Sequence, residues 1–181
     1  MNSMKKILVI LISSLLSFNL HSQTEKKFDY KLLKSGNYVV TPLFNQTKGV
    51  GKGEMVSWSD ENYFNNLFLS IIKEVLSKEK QDSLHLNTVY VITFNFKGEV
   101  LNCKFFINNL DKDVLSEKDL YSLYMRFMNL KIDMSKVKIG SNLSSDDKNF
   151  DYSEISGSLI TKENRDKLNK EYEDKILKKN K

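Results

Sequence analysis

The stretch VYVITFNFKGEV, residues 89–100, limits the fold more than any other part of the chain. It sets two runs of bulky, β-favouring side chains back to back with only Lys97-Gly98 between them, the pattern of two antiparallel strands joined by a tight turn. A two-residue turn there places Phe96 opposite Glu99, Phe94 opposite Leu101, Ile92 opposite Cys103 and Tyr90 opposite Phe105. Side chains alternate along strands, so all of these share one face, and that face is nearly all apolar. The other face carries Val89, Val91, Thr93, Asn95, Val100, Asn102, Lys104 and Phe106 and is mixed. A hairpin of this kind belongs to an antiparallel sheet with one side on a core. Gly98 supplies the positive φ of the turn, and a one-residue slip would send the apolar set to water.

Amphipathic helices flank the hairpin. In SDENYFNNLFLSIIKEVLSKEK, residues 59–80, the pairs Tyr63-Phe64, Leu67-Phe68, Ile71-Ile72 and Val75-Leu76 repeat on a helical beat. Ser59 or Asp60 is the expected N-cap. In LSEKDLYSLYMRFMNLKI, residues 115–132, Ser116 and Asp119 resemble a capping box, and Leu120, Leu123, Tyr124, Phe127 and Leu130 line one face. Two strands alone are marginal. The segments NYVVTPLF (37–44), GEMVSW (53–58) and FDYSEISGSLI (150–160) are therefore expected to complete the sheet. The expected fold is α+β, an antiparallel sheet of a central hairpin (88–107) with N- and C-terminal strands, covered on one face by two helices.

Residues 1–22 read as a signal peptide: Lys5 and Lys6 form a positive start, Ile7 to Leu20 an apolar stretch, and His21-Ser22-Gln23 a polar exit. The apolar stretch is shorter than the ~20 residues that span a bilayer. An exported protein, periplasmic or secreted, with no transmembrane segment after leader removal is expected. Residues 28–160 form a single domain, and 161–181 a charged tail, helical or disordered.

The net charge of +5 is spread along the chain, and only Arg126 and Arg165 are arginines, which argues against nucleic acid as a partner. Cys103 stands alone, so no internal disulfide forms, and it reads as a small buried hydrophobe. His85 is the one histidine left after the leader, which leaves a zinc site short of ligands. GVGKG (49–53) fails the phosphate-loop pattern at two positions and the dinucleotide fingerprint at its third glycine. The runs DKD (111–113) and DKNFD (147–151) lack the glycine and glutamate of a calcium loop and read as turns. No catalytic residue, metal ligand or cofactor is expected, and no binding residue is assigned.

The order helix, TVYVITFNFKGEVLNCKFFI, loop, LSEKDLYSLYMRFMNLKI, strand resembles the TonB C-terminal domain over roughly residues 60–160. It is also similar to small exported proteins of unknown function from gut-type Gram-negative bacteria, which share the leader, helix and hairpin. The resemblance implies the fold rather than the energy-transducing role. The TonB type carries a membrane anchor and a proline-rich linker, whereas this chain has a cleavable leader and one proline, Pro42.

Two functions follow as expectations. One is a non-enzymatic envelope binding domain that docks another envelope protein through an exposed edge strand. The other is a glycan-binding or hydrolytic protein with a site near Trp58 and the 49–53 loop.

Overall fold

The computed structural model describes residues 26–44, 53–54, 56–58, 61–139 and 152–179. The predicted leader, Ser59, Asp60 and most of the 49–53 loop lie outside them. In chain order the elements are β1 (Phe28–Leu32), β2 (Tyr38–Pro42), β3 (Gly53–Glu54), β4 (Val56–Trp58), α1 (Glu61–Val75), α2 (Lys78–Ser83), β5 (Val89–Phe94), β6 (Val100–Ile107), α3 (Glu117–Met128), β7 (Val137–Ile139), β8 (Tyr152–Ser158) and α4 (Lys162–Lys179). The main sheet has the order β1-β2-β6-β5-β8-β3. Its neighbours are antiparallel except for the two-residue β3, which runs parallel to β8. β4 and β7 form a separate antiparallel pair.

The register lays one row of side chains across the core face. Tyr30 pairs with Val40, Val40 with Phe105, Phe105 with Tyr90 and Tyr90 with Gly157. Ile92 pairs with both Cys103 and Ile155 in the next row. Tyr90, Ile92, Phe94, Cys103 and Phe105 are all buried, as the alternation predicts. α1 and α3 roof this face. The Phe68 ring lies 5.2 Å from Tyr90 and 5.9 Å from Phe127, and Tyr90 and Phe127 are 4.8 Å apart. Fully burying a side chain of this size contributes about 1.5–3 kcal/mol, so the aromatic cluster dominates the core.

The hairpin turn differs from the two-residue form. Asn95 N–H donates to Glu99 O (3.0 Å) and Gly98 N–H to Asn95 O (2.9 Å), so the loop holds three residues, Phe96 to Gly98. The cause is the Asn95 side chain. Its Oδ1 accepts from the N–H groups of Lys97 and Glu99, both at 3.0 Å, and its Nδ2 donates to the Glu99 carboxylate. Such side-chain turns compete with the bare backbone geometry. Gly98, at φ +76°, takes the left-handed position that closes a three-residue loop. The register shifts by one residue and is restored by a bulge: Phe94 pairs with Val100 and Thr93 with Asn102, leaving Leu101 as the extra residue. Val100 is buried in place of Leu101, and Phe96, expected on the core face, is 50% exposed. The turn is docked on the segment after α3, with Ile132 N–H donating to Gly98 O (2.8 Å) and a β-carbon at Gly98 overlapping the Ile132 carbonyl.

The predicted helix over 59–80 is two helices. α1 buries Phe64, Phe68, Ile71 and Ile72, and Leu76 just past its end is buried with them, the expected stripe. Ser77 then caps α2, its Oγ accepting from Lys80 N–H at 3.3 Å. α3 begins with the predicted capping box: Ser116 Oγ accepts from Asp119 N–H (3.2 Å) while the Asp119 carboxylate accepts from Ser116 N–H (2.9 Å). Lys80 Nζ reaches the same carboxylate at 2.5 Å and ties α2 to α3.

Of the charged tail, 162–179 is helical. Its first turn is fixed. Thr161 Oγ1 accepts from Asn164 N–H, and buried Asn164 Nδ2 donates to the carbonyls of Gln81, Asp82 and Leu84 at 3.0–3.3 Å. β1 completes one edge of the sheet, a strand beyond those expected. No helix among the described residues is long and apolar enough to cross a membrane.

Candidate functional site

The alternative site predicted at Trp58 and 49–53 is described only in its backbone edges. Gly53 pairs with Tyr152 and Trp58 with Val137, while 49–52 lie outside the described residues. Tyr63, which follows that segment in the chain, packs its ring 5.0 Å from Phe64 against the core.

Cys103 and His85 are both engaged structurally. Cys103 is fully buried on the core face, and burial pushes its thiol pKa well up, which holds it in the unreactive protonated form. His85 is bound to Asp111, a carboxylate with no exposed surface. Asp111 accepts from His85 N–H (3.0 Å), lies 2.6 Å from His85 Nδ1, and accepts a short bond from the Thr88 hydroxyl. Asn108 N–H in turn donates to Thr88 Oγ1 at 3.0 Å. This network joins the α2–β5 connection, with Asn87 at φ +72°, to the turn after β6. A carboxylate holding one imidazole nitrogen is half of a general-base device. Among the described residues no side chain hydrogen-bonds His85 Nε2, and the Thr88 hydroxyl donates to Asp111. The arrangement locks two loops together. The sequence read 111–113 as a turn; the turn is present, and Asp111 lies buried at its heart.

A groove of about 450 Å³ opens between α1, the end of β8 and the first turn of α4. Asn62, Asn65 and Asn66 of α1 line one wall, at spacings that share a helix face. Gly157 and Ser158 of β8 line another, and Lys162 and Arg165 stand at the α4 side. Tyr90 lies in the floor, 4% exposed, with its hydroxyl over Gly157 where a β-carbon would overlap it. Burial pushes the Tyr90 phenol well above its ordinary pKa, so it stands as a neutral hydrogen-bond donor. A second cavity of about 160 Å³ adjoins the groove along β8, sharing Asn65, Tyr90 and Gly157 and reaching Ile155 and Ser156. Among the described residues no acidic side chain lines either space.

The two sheet edges differ. β1 alternates Asp29 and Lys31 with its apolar positions, the charged pattern that discourages strand addition. β8, among the described residues, has an outer neighbour only at Tyr152 and Ser153. Among the described residues, its stretch from Ile155 to Ser158 pairs only with β5, beside the groove.

None of these groove residues was singled out from the sequence as a site. Three asparagines within five helical residues are poor helix formers on an otherwise well-formed helix, and that is the signal present.

The fold occurs in a known structure. The chain is similar to the crystal structure of a DUF5043 family protein from Bacteroides uniformis, with a TM-score of 0.51 at 8% identity. The likeness covers 72% of this chain and 78% of that one. No protein-family model and no curated protein matches the sequence.

Proposed function

We propose that the chain is an exported, non-enzymatic binding domain of the cell envelope, with a fold of the TonB C-terminal type, that accepts an extended segment of another envelope protein along β8. The observation that carries this reading is the outer side of β8, paired only at Tyr152 and Ser153 among the described residues and bordered by a groove. Strand addition to such an edge draws affinity from main-chain hydrogen bonds, and an adjacent groove supplies selectivity. A non-enzymatic role is supported by the way Cys103 and His85 are used, one held protonated in the core and the other bound to Asp111. Export is supported by the leader pattern of residues 1–22, and the kinship by the order of helix, hairpin, helix and strand.

The test is a photo-crosslinking residue placed at Ser156 on β8 or at Lys31 on β1, in full-length protein expressed in its native cells. An envelope-protein adduct at Ser156 and none at Lys31 is the expected result. Adducts at Lys31 alone, or at neither position, would refute docking at β8. The intact mass of the exported protein should place its start near Gln23 or Thr24; a retained leader would refute export by this route.

A further inference from the structure

We propose that the groove beside β8 selects an acidic extended peptide, whose carboxylates meet Lys162, Arg165 and the Tyr90 hydroxyl; this rests on docking at β8. The charge pattern is the first argument. Among the described residues Lys162 and Arg165 line the groove, no acidic side chain does, and neither cation has an acidic partner. Their position is fixed, because Thr161 caps the first turn of α4 and buried Asn164 anchors that turn to the carbonyls of Gln81, Asp82 and Leu84. Arg165 N–H itself donates to Thr161 O at 3.0 Å. Two cations held on a pinned helical turn lose less freedom on binding than cations on a mobile tail.

The second argument is a donor left over in the floor. The Tyr90 side chain is 4% exposed, no hydrogen bond among the described residues uses its hydroxyl, and that oxygen is not sealed from solvent, so it faces the open groove. A carboxylate oxygen entering the groove would replace water as its acceptor. The third is the amide wall. Asn62, Asn65 and Asn66 make no side-chain hydrogen bond among the described residues, yet each carries two donors and an acceptor on the face that lines the groove. Such a row can pair with the peptide's own main-chain groups, opposite the bonds it makes to β8. The volume, about 450 Å³, lies within the range of ligand-binding clefts.

The probe is a fluorescent decapeptide of alternating threonine and glutamate, read by anisotropy against the mature chain. Its glutamine isostere removes the charge, and N-methylation of alternate amides removes strand pairing. The acidic peptide should bind about tenfold more tightly than the glutamine isostere at low salt, the advantage fading toward ~0.5 M salt. The double substitution Lys162→Gln/Arg165→Gln, at exposed positions that leave Thr161 and Asn164 intact, should abolish that advantage. Tyr90→Phe should weaken the acidic peptide more than the isostere, because a charged acceptor gains more from the phenol than an amide oxygen does. Equal binding of acidic and neutral peptides, or an advantage that survives the double substitution, would overturn acid selectivity. If both bind equally and N-methylation abolishes binding of both, docking at β8 stands while acid selectivity falls. If N-methylation changes nothing while charge matters, the docking reading falls instead. If neither peptide binds, both fall.

Discussion

The Tyr90 phenol lies over Gly157 of the neighbouring strand, closer than any β-carbon at that position would allow. The glycine is thus what lets a large aromatic reach across the sheet to the groove floor. Gly157→Ala should cost about 1–3 kcal/mol, as other overpacked cores do, measured by urea denaturation. Tyr90→Phe should be mild by the same measurement, since no hydrogen bond among the described residues uses its hydroxyl. A neutral Gly157→Ala would show that Tyr90 is not held there.

Phe94 and Phe96 sit two residues apart and fare oppositely. Phe94 is fully buried, whereas Phe96 in the three-residue loop is 50% exposed. Phe94→Ala should lose about 3–5 kcal/mol of stability and Phe96→Ala less than about 1 kcal/mol. Equal losses would restore the two-residue turn and its register.

That pair also marks the limit of what the sequence discloses. Alternation from Tyr90 to Phe94 and from Cys103 to Phe105 identifies the sheet face, because burying one face leaves a period of two in the residues. The four-residue beat of α1 and the Ser116–Asp119 box are equally legible, since each is a local pattern. The turn was not, because Asn95 rewires it through its own side chain and the bulge at Leu101 then hides the change from the strand interiors. β1 went unassigned although FDYKL alternates cleanly; a five-residue edge strand with Asp29 and Lys31 looks much like a polar loop. The groove was illegible for another reason. Asn65, Gly157 and Arg165 are brought together only by tertiary packing, and no spacing along the chain records it.

Asp119 links pH to stability. Burial alone would raise its pKa, but the bond from Lys80 and those from the Ser116 hydroxyl and N–H outweigh this and hold it below the usual value. A carboxyl depressed in the folded state adds stability that is complete above the unfolded value, near pH 4, and is lost as pH falls through the lower folded value. Asp119→Asn should therefore cost about 1–2 kcal/mol at neutral pH, and its deficit should shrink below about pH 4. A deficit unchanged from pH 7 to 3 would contradict the charge-assisted role.

Asp111 offers a sharper structural test. Asp111→Ala strips the acceptor from the His85 N–H, the His85 ring and the buried Thr88 hydroxyl, and should cost about 3 kcal/mol or more. His85→Ala should cost less, because its ring is half-exposed at 43%. A larger loss for His85 than for Asp111 in chemical denaturation would reverse the assigned hierarchy.

The open edge of β8 is most directly measured by residue-resolved amide hydrogen exchange on the free mature protein. In an antiparallel strand alternate residues direct their N–H groups to opposite sides. If β8 pairs only with β5 beyond Ser153, protection across 155–158 alternates. The two inward amides exchange as slowly as those of Ile92, and the two outward ones far faster until an acidic peptide is added. Uniform slow exchange across all four residues in the free protein would mean the edge is already occupied, and would contradict docking there.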